Sequence, residues 1–346
     1  MEGIIVGMCN PLLDITAIVD EEYLNKYGLE ANNAILADDT HLPIYEELSA
    51  MKEVEYTAGG AGQNSLRVAQ WLLKKPHATT YFGAVGQDGY AATMTEKAES
   101  GGVNVRYFVS EDLATGTCAV LVTNQGKCRS LVANLSAANT YSVEHLRANE
   151  QWNLVEKARM VYITGFFLTV SPESIQLMGK HCADTKKLFL MNLSAPFLCE
   201  VPIFFERMQA ALPFVDILFG NEIEARTFAR VMNWDTDNSS TIAARIAQLP
   251  GKVTARPRVV VITQGPEATV LAIGDHERIW VEETYPVIPI DSKDIVDTNG
   301  AGDAFVGGFL AGLARGDSLS KCVALGNHAA NVIIQRSGVT LPIQDE

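Results

Sequence analysis

The 346 residues contain no C-x-x-C pair and no H-E-x-x-H, and they match neither G-x-G-x-x-G nor G-x-x-x-x-G-K-[ST]. These absences remove the common zinc spacings, the dinucleotide fingerprint and the P-loop together. Cys9, Cys118, Cys128, Cys182, Cys199 and Cys322 are dispersed, which speaks for reduced thiols and against a disulfide framework. No run of about 18 apolar residues is available to span a membrane. Met1-Glu2 puts an acid where a secretory leader is basic, so the expected location is the cytoplasm, with the nucleus also open. Positive charge is scarce: 27 Lys and Arg face 41 Asp and Glu, a net of −14 that repels polyanions. Nucleic acid and membrane are therefore not expected partners, although backbone N–H groups can still hold a small anion locally.

What is present is ordinary globular material, 47% hydrophobic and 20% charged, without repeats or low-complexity tracts. Apolar runs at 3–8, 79–85, 159–164, 188–193, 214–219 and 258–263 read as strands. Helical patterns cover 63–74, begin near Ser171, Val201, Glu222 and Ser239, and return at 301–314 and 318–334. Such alternation predicts an α/β fold, a mainly parallel sheet flanked by helices. Further β-rich runs lie at 12–19, 54–58, 103–109, 117–134, 268–273 and 277–282, and 117–134 is expected to turn back at Asn124–Lys127. Thr40, ahead of Pro43 and Glu46, reads as a helix cap. One unit spanning 1–346 is expected, with a small β-rich lid from about 12–36, 54–58 and 103–137.

Chemistry concentrates where glycines open helices. In Asp297-Thr298-Asn299-Gly300-Ala301-Gly302-Asp303, the unpaired N–H groups of a helix start form an anion cradle, and Asp303 lies in the first turn. A carboxylate there can take a proton from an attacking hydroxyl, or it can simply favour the helix dipole. Gly59-Gly60-Ala61-Gly62-Gln63-Asn64 is a second such loop, equally readable as a turn and cap. Asn221 and Glu224 share a helix face, which suits a hydrated magnesium ion or a plain cap.

Asp297–Asp303 resembles the C-terminal signature of the ribokinase-like carbohydrate kinase superfamily, and Gly59–Asn64 falls where its N-terminal glycine motif belongs. Asn10–Ile15, Gly165–Ser174, Asn192–Phe197 and Asp216–Glu222 resemble the adenosine kinases of that superfamily, so the likeness covers essentially the whole chain. The resemblance implies a ribokinase-like fold and transfer of the ATP γ-phosphoryl group to the 5′-hydroxyl of adenosine, with Mg2+ and with room for a monovalent cation. It implies a monomer whose partners are adenosine and ATP. Asp303 would be the base, Gly300, Ala301 and Gly302 the phosphoryl cradle, and Arg129 a lid residue approaching the phosphate. Asp14, Gly59, Gly60 and Asn64 would hold the ribose beside Asn10, and Leu135, Phe166 and Phe197 would enclose the purine. Asn221, Thr263, Gly265, Asn299 and Asn327 would line the phosphoryl donor, with Glu224 toward the metal.

Three departures stand out. Cys9 occupies a position where glycine is expected, Ala61-Gly62 replaces a more polar pair, and Ala34 stands where a glutamine would reach the purine. A ribokinase- or fructokinase-like sugar kinase is the nearest alternative. A non-catalytic nucleotide sensor is more distant, and a nicotinamide dehydrogenase lacks its fingerprint.

Overall fold

Seven of the apolar runs lie side by side and parallel. In spatial order they are β12 (Arg258–Gln264), β11 (Ile217–Asn221), β10 (Leu188–Asn192), β9 (Met160–Ile163), β1 (Ile5–Met8), β5 (Thr79–Gly86) and β6 (Asn104–Ser110). Antiparallel β13 (Glu267–Gly274) and β14 (Ile279–Tyr285) extend the β12 edge to nine strands. The second sheet runs β3 (Ala34–Leu36), β8 (Cys128–Asn134), β7 (Thr117–Thr123), β2 (Leu12–Ile18) and β4 (Val54–Gly59). The computed structural model describes residues 2–31, 33–123 and 128–342; the expected turn at Asn124–Lys127 lies outside them.

The large sheet is apolar on both faces because both are covered. Ile5, Tyr81, Tyr162 and Leu190 enter one core, beneath the helices Ala61–Leu73, Ala301–Arg315 and Leu319–Ile334. Val6, Phe82, Val161, Phe189 and Leu218 enter the other, beneath Pro172–Thr185, Pro202–Ala211, Glu222–Val231 and Ser239–Ala247. The period of two along each strand sorts them. A third core lies under the small sheet, where Ile15, Ala119, Leu121 and Val132 meet Leu24, Ile44 and Leu48 from the helices Glu21–Lys26 and Pro43–Ser49.

Several sequence expectations need correction. The 103–109 run is β6, which pairs with β5 from Thr80↔Asn104 to Gly86↔Ser110 and so belongs to the large sheet, not the lid. The helix Gly89–Ser100 joins these two strands, but only Met94 and Ala98 of it are buried, so its apolar stripe is too faint to show the β/α alternation in the sequence. Thr40 caps nothing. Its N–H and hydroxyl both donate to Asp38 Oδ1, while Leu42 is the N-cap and Pro43 begins the helix without a side-chain bond. The helices Val143–Arg147 and Asn149–Lys157 were not expected either; each buries one side chain, Leu146 and Val155.

Candidate active site

The carboxyl ends of the parallel strands converge on one cleft, the usual ligand position in open α/β sheets. Beyond β9 lies Phe166, beyond β10 Ser194, at the end of β11 Gly220 and Asn221, and in β12 Thr263. The helix Ala301–Arg315 brings Gly302 and Asp303 to the same cleft, and Ala61 enters from the other glycine loop.

Local backbone chemistry explains both loops. Gly300 is the helix N-cap with φ +76°, and no side chain caps this helix, so its first-turn N–H groups have no intrahelical acceptor. A Cβ on Gly302 would meet nothing within 4 Å, so the cradle faces open space. At the other loop Gly60 has φ +88°, and a Cβ there would lie 2.3 Å from the Asn10 carbonyl oxygen. A Cβ on Gly59 would lie 2.2 Å from Asp14 Oδ2, so only glycine lets that carboxylate rest against the backbone. Gln63 ties the loop down, donating from Nε2 to the Gly59 carbonyl at 3.1 Å.

Three carboxylates share the site, and each is pushed up to about 7, first of all by burial. At Asp303 the Asn64 amide, which donates from Nδ2 at 3.1 Å, pulls the other way, and the charge of Glu224 adds to the rise. At Asp14, Arg67 lowers the value and Asp303 raises it. At Glu224 the Asn221 N–H lowers it and Glu222 raises it. Loss of water destabilises each negative form, and mutual repulsion deepens the effect. Asn10 Oδ1 and Asn64 Oδ1 are buried acceptors with no hydrogen-bond partner among the described residues. Hydroxyl donors from a ligand would satisfy them.

Asn221 and Glu224 form a reciprocal capping box. Asn221 Oδ1 accepts from the Glu224 N–H at 2.8 Å, and Glu224 Oε2 accepts from the Asn221 N–H at 3.0 Å. Capping and cleft lining therefore coexist in one pair. No group of three or more His, Cys, Asp or Glu among the described residues could hold a metal ion. A hydrated ion carried by phosphates needs no such protein cage.

Phe166 and Phe197 stand 6.3 Å apart, tilted by 36°, and Leu135 is half-buried in the segment after β8. Asn299 donates its N–H to Asp297 Oδ1 at 2.9 Å. Gly265 is exposed, with φ +55°. Asn327 is buried and engaged at both amide atoms: it accepts from the Thr269 hydroxyl at 3.1 Å and donates to the Pro286 carbonyl at 3.3 Å. It anchors the chain after β14. Arg129, expected to approach the phosphate from the lid, is 8% exposed, and its Nε lies 3.0 Å from Asp297 Oδ2 in the loop before the cradle.

Asn192, Ser194 and Arg67 carry parts of the site that sequence reasoning did not assign. Asn192 Oδ1 accepts from the Gly165 N–H at 3.0 Å and Ser194 Oγ from the Phe166 N–H at 3.2 Å, which fixes the Phe166 segment. Ser194 has φ +66°, a rare backbone for serine, inside a block whose Asn-x-Ser-x-Pro order was the available signal.

Residues 21–346 match the pfkB family carbohydrate kinase profile. Adenosine kinase 2 of Arabidopsis thaliana is 54% identical over 342 residues, covering 99% of this chain and 96% of that protein. The crystal structure of Anopheles gambiae adenosine kinase in complex with P1,P4-di(adenosine-5) tetraphosphate has 47% identity and a TM-score of 0.90, covering 98% of this chain and 97% of that one. Adenosine kinase from Schistosoma mansoni in complex with 2-fluoroadenosine has 35% identity and a TM-score of 0.91, covering 100% and 99%.

Proposed function

The chain belongs to the pfkB carbohydrate kinases and, within them, to the adenosine kinases, and from that premise we propose that it transfers the γ-phosphoryl group of ATP to the 5′-hydroxyl of adenosine. The observation that carries this reading is Asp303, a carboxylate pushed up to about 7, in the first turn of an uncapped, glycine-opened helix. A base titrating near neutrality can accept the 5′-hydroxyl proton as the oxygen attacks the γ-phosphorus. The bond from that phosphorus to the bridging oxygen breaks, and ADP leaves. The N–H groups at Gly300, Ala301 and Gly302 receive the charge on the migrating phosphoryl.

Asp14, the Gly59-Gly60 turn, Asn64 and Asn10 take the ribose hydroxyls. A carboxylate accepts two hydrogen bonds at once, and the buried acceptor oxygens of Asn10 and Asn64 await donors. Phe166 and Phe197 enclose the purine with Leu135, offering flat apolar faces where a free sugar would need polar groups. Asn221, Thr263, Gly265 and Asn299 face the phosphoryl donor, and Asn327 serves it by holding the loop after Pro286. ATP is used with a divalent metal, which we assign as magnesium; bound with the phosphates it would neutralise their charge, and Glu224 would be the residue placed to accept hydrogen bonds from its waters. The small sheet closes over the nucleoside and keeps water from the phosphoryl group. A monovalent cation as activator, a monomeric state, and residence in cytoplasm and nucleus complete the proposal. No helix among the described residues is long and apolar enough to cross a membrane.

Phosphorylation of adenosine, inosine, guanosine, ribose and fructose, compared side by side, is the direct test. Adenosine should have the highest kcat/KM; a preference for a free sugar would reject the nucleoside assignment.

A further inference from the structure

Arg129 reaches from the small sheet into the loop that opens the Ala301–Arg315 helix. Its Nε is 3.0 Å from Asp297 Oδ2, with side-chain exposures of 8% and 2%, and its Nη2 donates to Ser337 Oγ at 2.9 Å. Asp297 is itself shared: Oδ1 accepts the Asn299 N–H at 2.9 Å and Oδ2 the Gly338 N–H at 2.8 Å. The Ser337–Val339 segment touches the cradle a second time, because a Cβ on Gly300 would lie 2.3 Å from Val339 Cγ2. The Val339 carbonyl accepts from Arg67 Nη1 at 3.3 Å, and the same nitrogen donates to Ala58, beside Gly59, at 2.7 Å. One buried cluster thus joins the small sheet, both glycine loops and the 337–339 segment.

We propose that Arg129 is a positioning residue that sets the phosphate cradle through Asp297, so that seating of the small sheet and assembly of the cradle are one event. This rests on reading the 297–303 loop as the phosphoryl site. A buried carboxylate is stable only while its charge is matched. When the small sheet lifts and takes Arg129 with it, Asp297 keeps two neutral amide donors, turns toward water and releases the Asn299 N–H. The loop then no longer fixes Gly300 in the conformation that aims the cradle. Opening the lid therefore loosens the grip on a phosphorylated product as well as uncovering it.

A double-mutant cycle combined with amide exchange tests this. Arg129→Gln and Asp297→Asn, singly and together, are compared for kcat with adenosine and ATP, and for exchange in nucleotide-free protein at Asn299 and Gly338, the two amides that donate to Asp297. Exchange there should quicken by about tenfold in each single variant, and the double variant should lose no more kcat than Asp297→Asn alone, within about twofold. If Arg129 instead serves the phosphate directly, nucleotide-free exchange stays unchanged and the two kcat losses multiply; either result overturns the proposal. Should Arg129→Gln not fold, Arg129→Lys, which keeps the charge and loses the fork, is used in its place. The exchange readout needs no substrate, so its failure is distinct from that of the kinase reading, which would show as no phosphorylation by the unaltered protein.

Discussion

Asp303 is both a helix-terminal acid and a half-buried group held by Asn64, and a single substitution separates those roles. Asp303→Asn keeps size and hydrogen bonding but cannot take a proton. It should lose at least about 10²-fold in kcat while keeping adenosine affinity and thermal stability; near-normal turnover would remove Asp303 from the chemistry. In the unaltered enzyme kcat should rise with pH and level off above about 7, since the deprotonated carboxylate is the active form. A second residue-scale prediction joins two sequence departures. The Cys9 Sγ accepts from the Thr164 hydroxyl at 2.6 Å, and a Cβ on Gly62 would lie 2.5 Å from Cys9 Cβ. The two positions therefore fit only as a pair. Gly62→Thr should destabilise by about 1–3 kcal/mol and Cys9→Gly should restore most of it in the double variant, as thermal melts would show; additive losses would deny the coupling. Asp303, both glycine loops and the Asn221/Glu224 pair were legible because each is local in sequence. Asp297 with Arg129, and Ser194 with Phe166, were not, because only the closed fold makes them neighbours.

Among the elements, the parallel strands were the easiest to read, because burial on both faces leaves unbroken apolar runs such as β5. Strand partners were harder. β6 has the composition of the lid strands, and only the thinly buried helix Gly89–Ser100 makes it the edge of the large sheet. Short helices such as Val143–Arg147 escape periodicity altogether, since fewer than two turns cannot display a stripe. The small sheet carries its own prediction. β7 is buried along its whole length, and β2 and β8 flank it. Amide exchange in Cys118–Thr123 and Cys128–Val132 should slow when adenosine binds if the sheet closes as a unit. Exchange indifferent to the nucleoside would make this sheet a fixed wall.

At the scale of the whole molecule, three carboxylates that ionise reluctantly make stability depend on pH. Asp14 and Asp303 rise from 3.8 and Glu224 from 4.5, each to about 7, so between those values the folded chain binds more protons than the unfolded one. Stability is then greatest at the acid end of that window and is lost as pH rises through about 7. The melting temperature without ligand should fall by roughly 3 °C or more from pH 5.5 to 8, and adenosine should reduce the fall by donating hydroxyls to Asp14. A flat or rising profile would mean that these groups are better solvated than their burial implies. The packing of Val339 against Gly300 also has a consequence for biosynthesis. Every strand of both sheets precedes residues 337–339 in the chain, so a nascent polypeptide can complete its β framework and still lack the piece that shapes the cradle. The cradle is therefore completed only after both sheets have been synthesised, and a message truncated just before Ser337 should yield a chain with both sheets encoded and phosphoryl transfer strongly impaired.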